Sequence, residues 1–293
     1  MTLVALSIAA LVSIPAAAPS FVRIPFTWTP GQIEVAVRVN DTPATFLLDT
    51  ASEFSVVSTR LAARLRLQLA SLHGRDFADD VALAIGPVSL EHERVMVMPF
   101  DGYYARGRNI DGLLGHDLFA RFVVAIDFSG HRLTLWEASA FKPPADAVVV
   151  PIEFVGRLAT VRSTIKLGDG RSLSARLVID TGASQGIILR YPFASNFVAS
   201  ALRRKPQDAP ERKPQEANSL AGGTLSLVDV PVEEVSIGGW TFDHPDVLAH
   251  RDPTGSGAFT STDGLIGNTL LQRFQLFIDY PHQRLLLKPL RHN

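Results

Sequence analysis

The sequence predicts an all-β fold made of two related lobes, and three observations carry that expectation. The chain repeats itself: residues 45–52 read T-F-L-L-D-T-A-S and residues 176–183 read R-L-V-I-D-T-G-A. Each copy is followed by a Gly-hydrophobic-hydrophobic-Gly block, Asp111 to Gly115 and Asp263 to Gly267. A shared run comes next, with Arg121-Phe122, Asp127 and Arg132-Leu133 matching Arg273-Phe274, Asp279 and Arg284-Leu285. Lastly, short apolar or alternating segments between Gly, Pro, Asn and Asp dominate the chain, while helical periodicity is scarce. A repeat on this scale fixes the architecture before any local reading is made.

Taken in order, residues 1–18 come first. Thr2 to Ile14 is apolar and Pro15-Ala16-Ala17-Ala18 follows, which reads as the core and cleavage site of a secretory signal lacking the usual leading Lys or Arg. The run is short for a bilayer span, so the expectation is an exported chain, periplasmic or secreted, with no stable membrane span after cleavage. Residues 20–30 read either as a strand between the lobes or as an inhibitory segment. Ile33 to Val39 alternates as a strand, and the apolar run ending at Asp49 is the first of the two repeated strands. Ser58 to Leu69 predicts a short helix with a serine cap, and Leu72-His73-Gly74-Arg75 a hairpin tip. Ile85 to His92 aligns without gaps to Ile237 to His244, a turn between two strands in both copies. Arg94 to Met98 and Phe122 to Ile126 read as strands, with one helical turn closing around Leu118. The pattern lapses from Glu137 to Asp146, where Pro143 and Pro144 stiffen the chain, so the expected lobes are 21–140 and 146–293.

The second lobe runs in the same order. Asp49 and Asp180 stand 131 positions apart and Gly112 and Gly264 stand 152 apart, so the second copy is 21 residues longer. Residues 196–218, polar and proline-punctuated, account for most of the surplus as a surface insertion. Leu285 to Leu287 closes the series as a strand.

Composition narrows the chemistry. A formal net charge of −1 gives no electrostatic reason to expect nucleic acid, and the basic insertion lacks the interleaved aromatics of a polyanion site. The absence of cysteine excludes disulfides, thiolate zinc sites and a cysteine nucleophile. Eight scattered histidines without an H-E-x-x-H pattern give no metal site. Gly182-Ala183-Ser184-Gln185-Gly186 fits the elbow of a serine hydrolase, but the following Ile187-Ile188-Leu189 reads as extended where that fold needs a helix. Asp127 and Asp279 read as strand-end turn residues.

The two Asp-Thr strands, each with its glycine block, resemble the aspartic proteases, particularly the retropepsin-like group, over nearly all of the mature chain. The resemblance implies two acid-protease-type β-barrel lobes with an active-site cleft between them, paired within one monomeric chain in a pepsin-like plan. It implies an aspartic endopeptidase acting on peptide or protein substrates without metal or cofactor. Asp49 and Asp180 would form the catalytic dyad, sharing a proton because two adjacent carboxylates do not both ionise easily. Thr50 and Thr181 would lock the two loops together, Gly182 would let backbone approach the carboxylates, and the glycine blocks would lie beneath. The neighbours Ala51, Ser52 and Ala183 complete the dyad-supporting set. Where the family has glycine this chain has Ala51, whose methyl group is expected to crowd the dyad or oppose a positive φ, affecting rate rather than fold. Ser52 is expected to donate to Asp49 and make it the more acidic partner. His73-Gly74 and Gly222-Gly223 are the candidate flaps over the cleft. The alternative is a peptide-binding protein of the same fold with weakened or lost chemistry.

Overall fold

The computed structural model describes residues 20–101, 107–168, 170–195, 197, 215–218, 224–250 and 261–290. The segment 1–18 expected to be a signal and the candidate flap glycines Gly222 and Gly223 lie outside these residues, as does most of the insertion.

Among the described residues the strands form two barrel-like sheets and one shared sheet. In the first lobe, Gln32–Val39 pairs with Thr42–Leu48, and Val39 also pairs with Leu83 of the long strand Arg75–Ile85, which curls the sheet back on itself. Leu48 leads into the Asp49 loop. The chain returns as Val56–Ser58, and Gly112–Leu114 fills the space between the two strands, parallel to the first and antiparallel to the second. The second lobe repeats this with Ser172–Ile179, Ile187–Leu189 and Gly264–Ile266. Each Asp loop is therefore clamped by a strand inserted beneath it.

Close approach explains the glycines of those inserted strands. A Cβ on Gly112 would lie 2.2 Å from the Val56 carbonyl oxygen, and one on Gly264 would lie 2.5 Å from that of Ile188. The acids in front of them are structural. Asp111 accepts the Thr45 N–H at 3.1 Å, and Asp263 accepts the Arg176 N–H at 2.7 Å.

The third sheet joins the lobes. Its described order is Phe21–Pro25, Arg132–Glu137, Phe122–Asp127, Phe274–Asp279, Arg284–Pro289 and Val148–Pro151, three strands from each half. At its centre Ala125 pairs with Phe277, its own counterpart in the repeat. The pseudo-two-fold axis passes through that pair. Residues 20–30 thus contain an interlobe strand, settling the choice left open by the sequence. Asp127 and Asp279 sit in the hairpin turns of this sheet, paired with Arg132 at 3.2 Å and Arg284 at 2.7 Å.

Local readings mostly hold. The helix spans Thr59–Leu65, with the Ser58 hydroxyl accepting the Leu61 N–H at 3.1 Å. It stops earlier than the expected Leu69 because Arg66 turns left-handed. A second short helix, His116–Arg121, follows Gly115. The insertion is built into the lobe at both ends: Phe197 is buried against Phe193, and Gln215–Asn218 pairs with Thr224–Asp229. Gly182 to Gly186 runs into the strand Ile187–Leu189, so the hydrolase-elbow geometry is absent there.

The described core is continuous across the lobes and includes Phe46, Phe119, Ile126, Ile179, Leu276 and Leu285. Full burial of each such side chain contributes roughly 1.5–3 kcal/mol.

Candidate active site

Both repeated strands end at the molecular centre. Asp49 and Asp180 are almost fully buried, at 5% and 8% exposure, and Thr50 and Thr181 wholly so. The threonines form a reciprocal lattice. The Thr50 hydroxyl donates to the Ile179 carbonyl at 2.6 Å and accepts the Thr181 N–H at 3.0 Å. Conversely, the Thr181 hydroxyl donates to the Leu48 carbonyl at 2.9 Å and accepts the Thr50 N–H at 3.1 Å. Each hydroxyl uses its single donor and an acceptor lone pair, and the two loops are joined by four bonds within one chain.

The lattice brings the two carboxylates close enough for the charge of Asp180 to act on Asp49. A Cβ built on Gly182 would stand 2.7 Å from the Asp49 carboxyl carbon, so the second loop lies against the first aspartate and glycine is required there. Ala51, at the equivalent place in the other loop, does not have a positive φ. Its methyl packs on an apolar cluster of the second lobe that includes Val178, Ile188 and Leu265. Gly182 has no positive φ either, so neither loop needs a left-handed residue at this place and the expected backbone conflict does not arise.

Electrostatics separate the partners. Asp49 is pushed up to about 8, first by burial and then by the charge of Asp180, against which work one backbone N–H, from Ala51 at 2.8 Å, and the charge of Arg190. Asp180 is also raised by burial, but Arg190 and two backbone N–H groups, from Gly182 at 3.0 Å and Ala183 at 2.9 Å, pull the other way. Asp180 is the better stabilised anion. This reverses the sequence expectation, since the Ser52 hydroxyl donates to the Phe54 carbonyl at 2.7 Å instead of to Asp49.

Several residues around the dyad escaped sequence reading. Tyr280, buried beneath the lattice, donates to the Thr50 carbonyl at 3.3 Å, and burial raises its hydroxyl far above the ordinary value. Asn268 donates to the Thr181 carbonyl at 2.7 Å and the Gly31 carbonyl at 2.8 Å, bridging the lobes. Its repeat counterpart His116 makes the reciprocal reach, Nδ1 to the Arg157 carbonyl at 3.0 Å. Gln32 donates to the Gly182 carbonyl at 2.6 Å and is held by Arg108 at 2.6 Å. Aligning the halves would have placed Asn268 and His116 together, but nothing in either copy marks them as polar clasps.

The hairpin between Leu69–Leu72 and Arg75–Ile85 turns at His73-Gly74, where both residues have positive φ, 51° and 75°. This is the two-residue primed turn that a twisted hairpin favours. It is exposed and lies at the edge of the first-lobe sheet, with Leu69 and Leu72 about half exposed at 50% and 48%. Among the described residues no cluster of His, Asp and Glu has metal-binding geometry.

Residues 35–118 match the family model described as aspartyl protease. Among solved structures, the crystal structure of an aspartic proteinase from Irpex lacteus aligns over 92% of this chain and 97% of its own, with a TM-score of 0.53 and 13% identity. A retropepsin-like aspartic protease from Rickettsia conorii aligns over 39% of this chain and 88% of its own, with a TM-score of 0.30 and 21% identity. No curated protein matches the sequence. The first lobe thus carries the sequence pattern of the aspartyl protease family, and the whole chain has the two-lobed fold of an aspartic proteinase.

Proposed function

We propose that the chain is an aspartic endopeptidase in which Asp49 and Asp180 activate a water for attack on a peptide bond. The observation that supports this most directly is the pairing of two buried carboxylates, one per lobe, whose surroundings make one the better anion and leave the other protonated. Asp180 takes a proton from the water as its oxygen attacks the carbonyl carbon, and Asp49 hydrogen-bonds the oxygen that becomes negative. The proton on Asp180 then passes to the amide nitrogen as the C–N bond breaks. As the oxyanion collapses to the product carboxyl, Asp180 is ionised again and Asp49 still holds its proton, so both carboxyls end as they began.

The substrate is an extended peptide, covered from the first lobe by the His73-Gly74 hairpin. The protein works as a monomer, since the two aspartates come from one chain, and outside the cytoplasm, as its apolar leader suggests. Among the described residues no helix is long and apolar enough to cross a membrane.

The test is incubation with a complex peptide mixture from acid to neutral pH, with products identified by mass spectrometry beside an Asp180→Asn control. Cleavage that vanishes in the control supports the reading. A folded protein that binds peptides and cuts none at any pH would replace it with the peptide-binding alternative.

A further inference from the structure

Around Asp180 the strands alternate between two faces. Leu177, Ile179, Ile187, Leu189, Ala249 and Ile266 belong to the main core. The residues between them, Val178, Ile188, Leu248 and Leu265, form a separate cluster with Leu158 and Leu227. Ala183 and Ala51, one from each dyad loop, pack on this second cluster, so that face borders the dyad.

Two residues further along, the same face becomes polar. Strand alternation puts Arg190 on the side of Ile188 and His250 on the side of Leu248. The two strands are parallel neighbours, with Leu189 beside Ala249, so Arg190 and His250 emerge together. Arg190 is half-buried and its Nη1 donates to the buried Thr262 hydroxyl at 3.3 Å. Its charge is felt by both aspartates and helps burial push His250 down to about 4. Above that pH His250 is neutral and Arg190 carries the positive charge.

The first lobe lacks this feature. There the corresponding face is Leu47, Val56, Leu113 and Phe100, with Met96 and Met98 against it. Ser58 occupies the place of Arg190, since the N–H groups of both bond the carbonyl of the aspartate opening the glycine block, at 2.7 and 2.8 Å. Met98 stands where the second lobe has His250. The pseudo-two-fold relates an apolar face to one that ends in a guanidinium.

We propose that the second-lobe half of the cleft is a carboxylate-binding subsite, where Arg190 receives an acidic side chain or the terminal carboxylate of a peptide while the first-lobe half takes an apolar side chain. The proposal rests on the reading of the cleft as a peptide site. Guanidinium matches a carboxylate fork to fork. Without that partner a substrate carboxylate here would be desolvated beside ionised Asp180, which repels it.

Binding to the Asp49→Asn protein tests the subsite apart from catalysis. Peptides carrying Glu or Gln at each position, with free or amidated C-termini, are titrated against it. One carboxylate is expected to strengthen binding about tenfold, about 1.4 kcal/mol. Position scanning and amidation tell a side chain from a terminus. Adding Arg190→Gln should erase the preference and leave apolar selectivity intact, and Arg190→Lys should restore part of it. Equal binding of charged and neutral peptides overturns the proposal, as does a preference that survives Arg190→Gln. If Arg190→Gln does not fold, loss of the preference on screening with salt takes its place, and a salt-independent preference counts against Arg190. Carboxylate-selective binding by a wild-type protein that cleaves nothing would sink the peptidase reading alone, while cleavage indifferent to charge would sink the subsite alone.

Discussion

Asp49 and Asp180 share a motif but differ in surroundings, and the difference has measurable consequences. Asp49, raised to about 8 in the folded protein from an ordinary 3.8, prefers its neutral form when buried. A carboxyl raised in this way favours the folded state fully below its unfolded value, and that contribution is lost as pH rises through the folded one. Asp49→Asn should therefore melt above the wild type at pH 9 and converge with it near pH 3, which calorimetry across that range would check. The same upward shift predicts activity persisting toward neutral pH, with the alkaline limb of the pH–rate profile near 8. The glycines and alanines of the loops are equally unlike. Gly182→Ala drives a methyl into the Asp49 carboxyl, and a displacement on the order of 1 Å is enough to lower kcat about 100-fold. Ala51→Gly should leave kcat within a few-fold and cost roughly 0.5–1 kcal/mol of stability through backbone entropy.

At the scale of elements, the dyad is held by loops that cannot move independently. Thr181→Ala removes a hydroxyl that serves both loops and leaves the buried Thr50 N–H and Leu48 carbonyl without their partner. The expected cost is about 1–3 kcal/mol, with kcat falling more than KM rises, read from denaturant midpoints and steady-state kinetics. The repeat made the strands, the dyad loops and the inserted glycine strands legible in the sequence, because each needs a distinctive residue at a fixed place. Tyr280, Asn268, His116 and Gln32 were not legible. Their partners are backbone carbonyls far away in sequence, and a carbonyl leaves no mark on residue identity. Arg190 was hidden differently: its strand position was clear, but its charge gains meaning only beside Asp180 and across from Ser58.

For the whole molecule, the shared sheet was the least predictable part. The runs Phe122 to Ile126 and Leu285 to Leu287 read as strands, yet the pairing of Ala125 with Phe277 depends on how the lobes meet and not on either segment alone. Residues 21–25 carry too few periods to distinguish an edge strand from a separate segment, and only their pairing with Arg132–Glu137 decides it. The interlobe contacts extend well beyond the dyad. Arg157 on the second-lobe hairpin reaches the Glu53 carbonyl at 3.3 Å and Asp117 at 3.4 Å, and stacks over Phe54 at 4.6 Å. Arg157→Ala should lower the melting temperature by loosening the lobes, with a smaller effect at high salt, because the pairs are partly exposed.

The sheet through the axis has a consequence for engineering. Phe21–Pro25 and Val148–Pro151 each pair with the hairpin of their own half, so residues 138–147 are the covalent bridge between two units that meet face to face. Two identical half-chains could associate through the same central strands, but every such homodimer would place like beside like: alanine on both sides of the dyad, or arginine in both faces. Fusion fixes the stoichiometry at one of each. Within one chain the halves are unequal partners, and severing the bridge would turn the protein into a complementation pair whose correct product is the mixed one.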